Sequence, residues 1–215
     1  MPSVVAVGGW RNITVLLAKL YADQAINFKR GEVSGKLPES IPDLMLSYLN
    51  ALNRDLSEGK AQRDNVAVHK DAKAVAWECL KESYRPQTAN RDAVILALGG
   101  EAAEDRLKYL EKRLRLIETI SPAYDRVRYT LDPVAEYLAG LHLVATYRDN
   151  EQAWKDFLTN AKQMLPHLVV ISGFLSALKD ACAVKGKECN VPTFVEQELR
   201  SLFISSPEAA LARGI

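Results

Sequence analysis

Residues 126–144 read RVRYTLDPVAEYLAGLHLV, and the fold turns on them. Arg126-Val127-Arg128-Tyr129-Thr130 alternates polar and apolar residues, as a half-buried strand does. The run stops at Asp132-Pro133, where Asp132 is expected as N-cap and Pro133 as the first helical residue. Val134, Tyr137, Leu138, Leu141 and Val144 then recur at helical spacing and mark a core-facing stripe. Tyr137 follows that stripe into the core, whereas Glu136 is either half of a buried polar pair or a surface carboxylate beside it. A strand therefore feeds directly into an apolar helix, with Asp132, Pro133, Glu136, Tyr137 and Leu138 as the joint.

Upstream of the joint, Leu116–Ile120 forms a second strand candidate, and the short Ser-Pro turn between the two makes a hairpin. Three helices precede it. One is expected over 67–83, broken by Arg85-Pro86. A short one follows over 91–98, capped by Thr88 or Asn90 and ended by Gly99-Gly100. A third is expected over 101–115, with Ala103, Leu107, Leu110 and Leu114 inward. Helix, helix, helix, hairpin is the order of a winged helix.

Farther upstream, 12–30 reads as a helix stopped by Gly31, and a helix through about residue 56 opens at Ser40, with Pro42 and Asp43 in its first turn as a capping-box variant. Residues 3–7, SVVAV, read as a short strand. Downstream, Asn150 caps a helix over 151–164. Helix 167–184 is apolar on most sides and so central to a bundle, and a last helix runs from Pro192 to about Phe203. The tail 205–215 is expected to fray. No repeat of solenoid length appears.

Composition narrows the function classes. The formal net charge is +1, which gives no global basic surplus for nucleic acid and no acidic tail. No apolar stretch reaches the roughly 18 residues needed to span a membrane. Cys79, Cys182 and Cys189 form an odd set without a secretory signal, pointing to reduced thiols in a cytoplasm. With His69, His142 and His167 scattered, no metal set forms. The loop GEVSGKL has a Gly-Lys pair, but Leu37 stands where a P-loop needs Ser or Thr, and the loop follows a helix rather than a strand. No Walker B strand, GxSxG elbow or paired carboxylates appear either. The chain is therefore expected not to be an enzyme and to have no catalytic or metal residues.

Basic residues raise a rival. Arg106, Lys108, Lys112, Arg113 and Arg115 lie on the third helix, where a helix-turn-helix protein reads DNA, and Arg126 and Arg128 add a basic wing strand. Glu101, Glu104, Asp105 and Glu111 share that helix at offsets that cancel much of the charge, and phosphate binding needs a local surplus. A winged-helix DNA-binding transcriptional regulator and a helical protein-interaction scaffold are kept as alternatives.

The segment RYTLDPVAEYLAGLHLV resembles the end of the winged helix in bacterial NACHT-type STAND NTPases, which carry an EYLAA-like segment after the wing; here it is Glu136-Tyr137-Leu138-Ala139-Gly140. In order along the chain, NITVLLAKLYADQAI (12–26) resembles the first helix after the NTPase core. LPESIPDLMLSYLNALNR (37–54) resembles the main helix of helical domain 1, and AVAWECL (74–80) the first winged-helix helix. The resemblance implies a mainly α fold: a possible remnant strand of a missing core at 1–9, helical domain 1 at 10–60, a winged-helix domain with exit helix at 67–147, and a C-terminal helical domain, helical domain 2, at 150–204. Helices 12–56 and the winged helix would form one body and helices 150–203 another, joined by the exit helix as a lever. It also implies a regulatory role, coupling the nucleotide state of an absent core to conformational change and assembly. ATP or ADP would bind only through that core, in cis or in trans, and a protein oligomer would form. The positions that match the family's nucleotide contacts are Thr14 and the Leu131-Asp132 pair. The family often has Pro where this chain has Thr14-Val15, and His where it has Leu131.

Overall fold

The computed structural model describes residues 15–31, 36–54, 62–164 and 168–204. The SVVAV segment, Thr14 and the tail 205–215 lie outside the described residues. The chain is mainly helical with one small antiparallel sheet, and it divides into two compact units, Met1–His69 and Lys70–Ile215.

In the first unit, α1 (Val15–Lys29) and α2 (Ile41–Arg54) pack through Leu17 and Leu20 against Leu44, Met45 and Leu49. The start of α2 follows the expected capping: Ser40 Oγ accepts from Asp43 N at 3.2 Å and donates to Asp43 Oδ2 at 2.7 Å. Two buried amides are held by hydrogen bonds. Ser47 Oγ donates to the Gln24 side-chain oxygen at 2.9 Å, tying α2 to α1. Asn53, fully buried, donates to Arg63 O and to Asn65 Oδ1. A buried amide needs such partners, because an unmade hydrogen bond costs the full desolvation of the group.

The order that follows is α3 (Asn65–Leu80), β1 (Ala89–Asn90), α4 (Arg91–Leu98), α5 (Ala103–Lys108), β2 (Ile117–Ile120) and β3 (Arg126–Tyr129). The sheet order is β1-β3-β2, with Ala89 opposite Val127, and Ile117 opposite Tyr129. The hairpin strands stand where the alternation puts them, Val127 and Tyr129 inward. Tyr129 Oη donates to the Ala72 carbonyl at 2.6 Å, pinning β3 to α3. Asn90 caps α4 by accepting from Ala93 N, and Gly99 ends it at a positive φ of 65°. The outer edge of β2 is occupied as well: Thr119 N donates to a Glu111 carboxylate oxygen at 3.2 Å.

Two local expectations are corrected. The third helix is not one α-helix over 101–115: α5 ends at Lys108 and continues as a π-helical turn, Tyr109–Arg113, closed by Leu114 N donating to Tyr109 O. Asp132 is not the N-cap of the exit helix. Leu131 holds that position in extended backbone with no side-chain cap, and Asp132 is already helical. Pro133 in the first turn needs no amide partner there, so the helix starts without an oxygen cap.

That exit helix, α6 (Asp132–Tyr147), is followed by α7 (Glu151–Gln163), α8 (Leu168–Lys185) and α9 (Thr193–Ile204). Asn150 caps α7 through Ala153 N. The long helices α6 and α8 pack against each other, with Gly140 close to Leu178, and Leu138, Leu141, Phe174, Leu175 and Leu178 are all buried. An aromatic group, Trp77, Tyr84, Trp154, Phe157 and Phe174, extends that core between α3, α7 and α8. Among the described residues, those from Lys70 onward form one compact unit, because α6 and α8 each carry too much apolar surface to stand alone.

Candidate functional site

The joint is built around α6. Strand β3 delivers Thr130, whose amide and hydroxyl both donate to Leu116 O. Leu131 then turns the chain into the helix. Val134, Ala135, Leu138, Ala139 and Gly140 are buried, and Tyr137 nearly so. The close approach to α8 depends on small residues: an ideal Cβ on Gly140 would sit 3.0 Å from the Leu178 Cα. Tyr137 Oη donates to Asp180 Oδ2 at 3.0 Å. Burial first, then the Asp180 charge, pushes the phenol well above its ordinary range, and burial raises Asp180 in turn. The Glu136 carboxyl group lies over Gly173 of α8; burial, with Asp132 one turn earlier as the second cause, raises its pKa to about 7. Near the other end of the helix, His142 stacks on Trp77, and burial, then the Lys73 ammonium, lowers it to about 4.

Asp132 also borders a polar cleft of about 350 Å³ between the hairpin and the loop before β1. Pro86, Gln87, Thr88, Glu118, Arg128, Tyr129 and Thr130 complete its walls. Glu118 and Arg128 pair across the strands. Leu131 gives this cleft no polar side chain.

The basic residues do not make one surface. Arg106 is turned inward: its guanidinium donates to the carbonyls of Leu98 and Gly99 at the end of α4 and stands 3.5 Å from the buried Asp71 carboxylate. Its Nη2 is spent on a helix C-terminus, where cations are favoured, rather than presented to solvent. Lys108 and Arg91 share Glu104, Lys112 pairs with Glu111, and Arg128 with Glu118. Arg113 has Nε and Nη2 buried without a hydrogen-bond partner. Arg115, at φ 52°, and Arg126 are exposed.

Among the described residues, no group of three or more His, Cys, Asp or Glu could hold a metal ion, and no helix is long and apolar enough to cross a membrane. Cys79 and Cys182 are free and buried, with thiols pushed up to about 12 by burial. Of the expected joint residues, Glu136 and Tyr137 meet Gly173 and Asp180 of α8, two residues that sequence reasoning did not single out. The signal for those two was a glycine and an acid interrupting an apolar helix.

No curated protein and no solved structure gives a match to the chain. Residues 166–207, which take in α8 and α9, match the family described as NACHT C-terminal Helical domain 4. Helix α8, which packs along α6, thus lies in a segment similar to a NACHT C-terminal helical domain.

Proposed function

We propose that the chain is a non-catalytic regulatory and interaction module of a NACHT-type STAND signalling NTPase, standing C-terminal to its P-loop core. In this reading α1 and α2 belong to helical domain 1, α3 to β3 form a winged helix, and α6 leads from the wing into the C-terminal helices. The observation that carries it is the packing of α6 along α8. This joins the segment that resembles the end of a NACHT winged helix to the segment that matches a NACHT C-terminal helical domain. The order α3-β1-α4-α5-β2-β3, with β3 central in the sheet, supports the winged helix.

The module has no nucleotide chemistry of its own. ATP or ADP is held by the core, in cis or in trans, in the cytoplasm, and the change of nucleotide is passed through α6 to the α7–α9 body, permitting assembly. The winged helix acts here as a packing unit rather than a DNA reader, because Arg106 is committed to α4 and its neighbours are offset by Glu104, Glu111 and Glu118.

The test joins the chain to a P-loop NACHT core encoded in frame upstream of it and follows sedimentation with ADP and with a non-hydrolysable ATP analogue. Nucleotide-dependent assembly is expected, lost in Leu138→Asp, while the chain without the core hydrolyses no ATP. An upstream region with no P-loop, or salt-dependent DNA binding that falls on replacing Arg113 and Arg115, would overturn the reading.

A further inference from the structure

Glu136 is seated in an unusual way for a carboxylate. An ideal Cβ built on Gly173 would lie 2.7 Å from Glu136 Cδ, so the carboxyl group occupies the volume that a side chain on α8 would otherwise fill. No hydrogen bond or ion pair among the described residues reaches it. The elements packed against α6 offer no compensating charge. On α8, Asp180 accepts from Tyr137, and Lys179 stands 4.0 Å from Asp180. On β3, Arg128 is held by Glu118. On α7, Asp156 acts on Tyr147 at the far end of α6. On α6 itself, Asp132 adds a second negative charge one turn away. A group so placed is tolerated neutral and strained when ionised, because burial penalises only the charged form.

We propose that Glu136 and Gly173 form a proton-operated latch between α6 and α8. Neutral, the carboxyl group stays seated on Gly173 and the two helices remain closed at this end. Ionised, it is drawn toward water and the contact opens. The proposal is independent of which core precedes the chain, since it uses only residues of one compact unit.

The sign follows from linkage. Glu136 binds its proton more tightly folded, with its pKa raised to about 7, than unfolded. Its stabilising share is present in full below its unfolded pKa of about 4.3 and is lost as pH rises through the folded value. The test uses the whole chain. The Glu136 side-chain carbon is followed by NMR against pH, and amide exchange in α6 and α8, corrected for intrinsic rates, is compared for wild type and Glu136→Gln between about pH 5 and pH 8.5. The expected results are a Glu136 midpoint near 7, α6 and α8 exchange that accelerates across that midpoint in wild type, and exchange in Glu136→Gln that stays at the slow limit throughout. Gly173→Ala, by evicting the carboxyl group, returns the midpoint toward its ordinary value of about 4.3. A Glu136 midpoint near the ordinary value in wild type, or the same pH response in wild type and Glu136→Gln, would overturn the latch. The Gln comparison decides the matter alone if Gly173→Ala does not fold.

Discussion

Arg106 shows what a single side chain does in this protein. It sits three-quarters buried, with its guanidinium on the last carbonyls of α4 and near Asp71, which is itself almost fully buried. Arg106→Ala leaves Asp71 and two helix-end carbonyls short of a donor. We expect a loss of about 2–3 kcal/mol, read by urea unfolding with an unchanged slope, the partial exposure keeping it below the cost of breaking a fully buried pair. Arg113→Ala removes two buried nitrogens without a hydrogen-bond partner, where Arg106 has only its Nε in that state, and is expected to cost less in the same measurement. The sequence could not rank these two. Both are arginines on one basic helix, and charge counting carries no information on which one faces α4. That direction is set by the turn at Gly99-Gly100, where two positive-φ residues fold α5 back across the end of α4.

At the scale of elements, α6 is the member whose loss is felt furthest. Leu138 is wholly buried in the middle of α6. Leu138→Asp places a carboxylate there with no partner, and more than about 4 kcal/mol should be lost. A thermal melt of the variant that matched wild type would show that α6 is not the buried element it is taken to be. The helices were legible because apolar residues repeat at three and four, and the capping residues Ser40, Asn90 and Asn150 stood at their starts. The two-residue strand β1 was not legible. It exists only through pairing with Val127 and Arg126, almost forty residues on, and no local pattern encodes a partner that distant. The π-helical turn at Tyr109–Arg113 was also invisible, since Leu107, Leu110 and Leu114 all face inward as in an ordinary helix. The missing cap of α6 misled the reading at Asp132: Asp-Pro is a common helix opening, but here the chain enters from β3 one residue earlier.

For the whole molecule, the division at His69 and Lys70 and the union of α6 with α8 come from long-range burial, which periodicity does not report. The resemblance upstream and the matched region at 166–207 meet in that union. The sheet has a further consequence at this scale. One of its edge strands, β2, is a place where a second molecule could add a strand, and the Thr119 N–H that would donate to the newcomer is already given to Glu111. Open edges invite such templating between chains. Glu111→Ala should therefore leave the fold and its melting point nearly unchanged, yet give dimers and larger species that grow with protein concentration in light scattering. Unchanged scattering would mean that the edge is guarded by something other than this carboxylate. One glutamate would then be what keeps concentrated solutions of this chain from knitting into β-linked aggregates, a matter of colloidal behaviour rather than of folding.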